Sequence, residues 1–291
     1  MTTGKSTPTN TPMGTTPPML DYGFMRNAFA AAAIVALVAG PVGYFLVLRG
    51  QTFAGHALAH IGFTGATGAF LIGISPLWGL LGMTVAGGVA IGLMGERLAQ
   101  RDVAIGLVLA LALGFGLLFL HFVTSYATQA TALLFGNVLA VDQATVWSLL
   151  ALGVVALAAL GVIARPLLFA SLQPELAEAK GVSLRLMAVL FLAIVAFATA
   201  EAAQIVGVLL VFTLMVGPAA ASLQLTRRVG PGVLLAAAFA LAEAWGGLAL
   251  AYETNWPTSF WITALSGLVY GASLLPAALP EAAWARPKAA P

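Results

Sequence analysis

Between Phe53 and Gly65 the chain reads FAGHALAHIGFTG. His56 and His60 stand four residues apart, and every other residue of the stretch is apolar, glycine or threonine. On a helix, residues at i and i+4 share one face a turn apart. Both imidazoles can therefore address one point, the spacing with which helical HxxxH pairs hold zinc. Neutral imidazole is a borderline-soft nitrogen ligand that suits late first-row divalent ions. The bland alternative is a pair of histidines bonded to neighbouring backbone. A pair in phase, in a chain with three histidines in all, favours the metal reading. Two ligands do not close a structural zinc site, which wants a full tetrahedral set. A site with open positions suits an ion in passage, because what enters must also leave. Glu253, in LALAYETNWPTSF, is the natural third ligand, at the expected outer end of a late span. The other ionisable groups in apolar surroundings are His121, Glu201 and Glu243, with Asp142 near an outer end. Glu201 and Glu243 read as helix-end or interhelical hydrogen-bonding groups, and His121 as a side chain reaching the outer interface.

What must position these side chains follows from composition. Of the 291 residues 61% are hydrophobic and only 8% charged, too little charge to cover a surface that faces water. Lipid is the outer solvent this composition calls for, and the fold class is an all-α, polytopic bundle of membrane helices. A span needs about 20 mainly apolar residues. Candidate spans are 27–48, 53–72, 77–95, 103–123, 144–164, 186–200, 203–223, 233–252 and 260–275, giving eight or nine crossings. The sixth is short, and the stretch Ala127–Val141 is too broken to cross; it reads as a helix lying along the membrane or partly entering it. Residues 1–25, rich in Thr and Pro, form a disordered polar tail. Residues 26–276 form the membrane domain, and 277–291 a C-terminal tail.

Basic residues orient the bundle. Arg49, Arg97 with Arg101, Arg165 with Lys180 and Arg185, Arg227 with Arg228, and Arg286 with Lys288 follow alternate spans, and the other connections carry none. Lys and Arg favour the cytoplasmic side. The C-terminus is therefore inside and, with nine spans, the N-terminus outside; Lys5 and Arg26 run against the latter. The longest cytoplasmic stretch is RPLLFASLQPELAEAKGVSLR, residues 165–185. Pro174 is placed to open a short helix and Gly181 to close it, with Glu175 and Glu178 near its positive end and Lys180 near its negative end. Such a helix is either a docking element or an ordinary loop helix.

Several chemistries are excluded. There is no cysteine, so thiolate ligands and disulfides are absent. No HExxH string exists, and three histidines are too few for a di-iron desaturase, so an intramembrane metalloenzyme is the weakest alternative. Gly4-Lys5-Ser6 lacks the upstream glycine and strand of a phosphate loop. A stand-alone ion-coupled carrier would show inverted repeats, and none is evident. A net charge of +2 gives no reason to expect nucleic acid.

Four ordered blocks then resemble one family. GPVGYFLVLRGQTFAGHALAHIGFTGATGAFLIG (Gly40–Gly73), LLFGNVLAV (Leu133–Val141), LQPELAEAKGV (Leu172–Val182) and IVGVLLVFTLMVGPAAAS (Ile205–Ser222) resemble the membrane permease of ABC importers for zinc and manganese, the ZnuB-like or ABC-3 type family. The resemblance spans about residues 25–275. It implies a homodimeric, multi-pass permease of the bacterial cytoplasmic membrane, not an enzyme and with no cofactor of its own. Its implied partners are a cytoplasmic ATP-binding subunit, an extracytoplasmic metal-binding protein and a second permease copy. It implies that Gln173, Pro174, Glu175, Leu176 and Gly181 belong to the coupling helix that sits in the ATPase groove. Relatives commonly carry aspartate where this chain has His56, and the later histidine matches His60. Glu253 falls at a family aspartate only after a one-residue shift, and Asn137 stands where some relatives have aspartate. The His/His pair is softer and less negative than Asp/His, which moves the expected ion toward zinc, with manganese or iron the alternatives.

Overall fold

The computed structural model describes residues 19–94, 98–122, 133–136 and 138–278. The tail through residue 18, Arg97, Asn137, residues 127–132 and the C-terminal tail from residue 279 lie outside the described residues. A single 3-10 turn, Met19–Asp21, leads into α1 (Gly23–Leu48), α2 (Thr52–Leu71), α3 (Pro76–Leu93) and α4 (Leu98–His121). A second 3-10 turn, Val138–Ala140, precedes α5 (Gln143–Leu172), α6 (Pro174–Ala179), α7 (Leu184–Val206), α8 (Val208–Leu225), α9 (Val229–Thr254) and α10 (Thr258–Ala278). Eight of these helices are long and apolar enough to cross a membrane. A further long helix, the 20-residue α2, carries the two histidines and is walled in by α3, α4, α7 and α8. The protein is thus the all-helical bundle its composition requires, and among the described residues α2 is the ninth long helix.

Three helices make the centre. Most of α2 is buried, with an unbroken buried run from Ala57 to Thr67, and α1 and α7 are buried along most of their length. Around them α4, α5 and α10 turn broad apolar faces outward, with Val103, Leu107, Val162 and Leu268 largely exposed. Such faces are stable only where lipid meets them. Between helices in lipid, close approach of backbones replaces the hydrophobic drive. A Cβ at Gly65 of α2 would overlap the Gly79 carbonyl of α3, and one at Gly79 would overlap the Gly65 carbonyl. A Cβ at Gly88 would lie 2.6 Å from the Leu192 carbonyl oxygen, so α3 meets α7 in the same way.

Two of the arginines at the expected cytoplasmic connections, Arg49 and Arg185, mark one side of the bundle. Arg49, which caps α1, donates from Nη1 to Ser171 Oγ near the end of α5 at 2.7 Å. Arg185, at the start of α7, donates from Nη2 to the carbonyl of Leu93 at the end of α3 at 3.2 Å. These bonds bring the ends of α1, α3 and α5 and the start of α7 to one side, as the alternation of charges requires. At the opposite ends, Asn27 donates to the Val141 carbonyl at 3.2 Å and Trp245 to the Phe29 carbonyl at 3.1 Å. Trp256, Phe260 and Trp261 cluster there, an aromatic group of the kind that sits at a membrane–water boundary.

The boundary between α7 and α8 differs from the sequence expectation. The sequence expectation ends one span at Ala200 and starts the next at Ala203. The helix instead continues to Val206, with Glu201 buried. The chain turns at Gly207, whose φ of 79° is costly for any side chain. Gly207 lies against Gly136, φ 75°, of the segment before α5; a Cβ on either would strike the other's backbone. The described part of the broken stretch 127–141 therefore wedges onto the α7–α8 turn.

Candidate metal centre and coupling helix

The two histidines sit in the first turns of α2, just after the sharp corner that follows α1. Gly50 takes φ 62° at that corner, and the Gln51 N–H closes back on the Leu46 carbonyl at 3.0 Å. One turn beyond His60, the Thr64 hydroxyl bonds the His60 carbonyl and, across the helix gap, the Ala112 carbonyl of α4. This ties the histidine-bearing segment to its neighbour. The rings of His56 and His60 stand 4.8 Å apart, edge to face at 81°. His60 is buried, and His56 half-buried with the Phe212 ring of α8 against it, centroids 5.0 Å apart.

Neither His56 Nδ1 nor His60 Nδ1 has a hydrogen-bond partner, although both atoms are buried. Adjacent backbone does not satisfy these two nitrogens. Buried polar atoms without partners are rare and call for an explanation. Two imidazoles in edge contact, each with an unsatisfied ring nitrogen, have the chemistry to take up a divalent cation that supplies what the protein does not.

Glu253 lies elsewhere. It is exposed in the last turn of α9 and lines a cavity of about 790 Å³ with Phe24, Tyr252 and Trp256, at the end of the bundle opposite Arg49 and Ser171. α2 packs on α8 and α7, whereas α9 packs on α1, α8 and α10, so Glu253 does not reach the histidines. Among the described residues no three His, Asp or Glu side chains come together as a metal-ligand group. Glu201 is enclosed between α1 and α5, near Val38 and Gly153, and Glu243 faces Ser266 of α10. His121 contacts Phe122 at the end of α4. None of these joins the pair. Phe212 is the contact that sequence reasoning missed; it sits in the mainly apolar run VGVLLVFTLMV, where nothing marks it out.

The short helix between α5 and α7 forms as the sequence requires. Pro174 occupies its first turn, and the Ala177 N–H bonds the Gln173 carbonyl at 2.9 Å. Gly181 closes it at φ 84°, with its N–H on the Glu178 carbonyl at 2.9 Å. Ala177 is fully buried and anchors the helix, while Glu175, Leu176 and Glu178 face outward. Leu176 is thus held out beside two carboxylates, on the side of the bundle that carries Arg49 and Arg185.

The fold is a bundle of membrane helices that encloses a histidine pair and carries a short exposed helix on the side of Arg49 and Arg185. The family model described as the ABC 3 transport family matches residues 21–276, and the chain belongs to that family. It is a multi-pass membrane protein, the permease subunit of an ABC transporter, and is not itself catalytic. It is similar to the "Probable metal transport system membrane protein" of Treponema pallidum, 34% identical over 81% of this chain and 89% of that one. It is also similar to "Manganese transport system membrane protein MntC" of Halalkalibacterium halodurans, 30% identical over 79% of each. Among solved structures, "PsaBC from Streptococcus pneumoniae in complex with Fab" superposes with a TM-score of 0.79 at 25% identity, covering 88% of this chain and 92% of that one.

Proposed function

We propose that this permease carries divalent transition metal ions inward and that His56 and His60 form the ion's brief resting place. The observation that carries this is the pair of buried, unpartnered Nδ1 atoms on one face of α2. Two imidazoles leave coordination positions open, to be filled by water or by the same pair of a second permease copy. Incomplete ligation keeps release fast. Zinc is the ion this donor set favours, since two neutral nitrogens suit it better than they suit manganese, which prefers oxygen. The names of the relatives favour manganese as the second reading. Glu253, in the outer cavity, is the acidic group an arriving cation meets first. An extracytoplasmic binding protein delivers the ion to that side. A cytoplasmic ATPase docks on Gln173, Pro174, Glu175, Leu176 and Gly181 and drives alternating access through α6.

The test is uptake by the assembled transporter. His56→Ala and His60→Ala should each lower metal uptake by at least about tenfold, since losing even a group behind a ligand costs about 10–100-fold. His56→Asp should retain uptake and shift the preference toward manganese, read by competition between the two ions. Unchanged uptake of every divalent metal in both alanine variants overturns the site. Manganese preferred by the wild type overturns the zinc assignment and leaves the site in place.

A further inference from the structure

The corner between α1 and α2 is held through Arg49, by its backbone and by its guanidinium. The backbone of Arg49 caps α1, its N–H bonding the Phe45 carbonyl at 3.0 Å. Its Nη1 donates to Ser171 Oγ at 2.7 Å, and that hydroxyl in turn donates to the Leu167 carbonyl at 2.5 Å. Its guanidinium carbon lies 5.7 Å from the centre of the Phe191 ring of α7, which is wholly buried. Ser171 stands two residues before Gln173, where α6 begins, and Phe191 lies on the helix that follows α6. The one side chain therefore grips both arms that hold the docking helix.

Its own backbone leads directly to the histidines. Gly50 and Gln51 make the turn, α2 starts at Thr52, and His56 follows within the next turn. The corner is also close-packed, because a Cβ at Gly55 would lie 2.6 Å from Leu46 Cδ2. The α5–α6 junction and the start of α2 are thus joined through a planar, charged group with fixed hydrogen-bond directions. Lysine lacks that geometry, since it neither stacks nor forks.

We propose that Arg49 is a positioning residue for transport: it is the clasp through which motion of the docking helix α6 reaches the histidine pair on α2. The proposal rests on the reading of α6 as the ATPase docking element and of His56 and His60 as the ion's site. It predicts a defect in coupling, separate from assembly and from chemistry in the partner.

The experiment uses the full permease co-expressed with its ATPase, reconstituted in lipid vesicles, with zinc ions or manganese ions as the probe. The readout is metal transported per ATP hydrolysed, alongside the amount of ATPase captured by the tagged permease. Arg49→Gln should capture ATPase as the wild type does while transport per ATP falls on the order of tenfold, the size expected for breaking a link in a coupling path. Arg49→Lys should recover part of the loss, because it restores a charge and a donor to Ser171 without the stacking. Ser171→Ala, which removes a single hydroxyl, should show a smaller loss in the same direction. A wild-type ratio in Arg49→Gln overturns the clasp. If Arg49→Gln does not assemble, Ser171→Ala decides, and a wild-type ratio there overturns it equally. Full capture of ATPase by Leu176→Asp would instead refute the docking reading, and full uptake by His60→Ala the site reading, so the three failures are distinct.

Discussion

Leu176→Asp probes the docking helix with a magnitude that follows from its surroundings. Leu176 keeps 47% of its surface exposed in the isolated permease. Complete burial of a leucine is worth about 1.5–3 kcal/mol, so covering the remaining half in a partner's groove contributes about 1 kcal/mol. An aspartate in its place forfeits that and adds about 1–3 kcal/mol for a carboxylate entering the groove without a partner. The sum, about 2–4 kcal/mol, weakens ATPase binding by roughly thirtyfold or more. The permease itself should change much less than the complex, because about half of the side chain is free of it; its unfolding midpoint should fall by no more than about 4 °C. Ala177→Asp is the contrasting variant. Ala177 is fully buried under the same helix, so a carboxylate there should lower the stability of the permease as well as capture of the ATPase. The assay is ATPase recovered on tagged permease, with thermal unfolding of the permease alone in parallel. Equal ATPase recovery by Leu176→Asp and the wild type would refute the docking surface. A large loss of stability in Leu176→Asp would refute the account of which face of α6 is free.

Two further outcomes follow from packing and capping. Gly79→Val drives a side chain into the Gly65 carbonyl and the Ala69 side chain, an overpacking that costs about 1–3 kcal/mol, and it should lower the unfolding midpoint and disturb uptake together, because the displaced helix bears the histidines. Asp142 caps α5, its Oδ1 accepting from the Thr145 N–H at 2.9 Å, and its hydrogen bonds from Thr145 hold its carboxyl below the ordinary value of 3.8. Since the folded value is the lower one, the stabilisation is complete above the ordinary carboxylate range and is lost as pH falls through the depressed value. Unfolding of Asp142→Ala against wild type should therefore show a constant gap at neutral pH that closes in acid, and a gap that widens in acid would contradict the cap.

Much of this protein was legible before any coordinates. Apolar runs of spanning length and scarce charge dictate a helical bundle in lipid, because no other solvent tolerates that surface. The arginines at alternate connections fix which ends lie together, and the structure joins the ends of α1, α3 and α5 and the start of α7 through Arg49 and Arg185. The i, i+4 spacing places His56 beside His60, and Pro174 with Gly181 brackets α6, because helical periodicity and φ preferences act over a few residues at a time. What lies between helices was not legible. Helices that are apolar all round carry no stripe to say which side faces which neighbour. Only tertiary packing decided that Glu253 stays at the far end of α9, that Phe212 covers His56, that the break falls at Gly207 against Gly136, and that Arg49 reaches Ser171. Each of these pairs residues distant in sequence, and their meeting is set by where small residues let backbones approach.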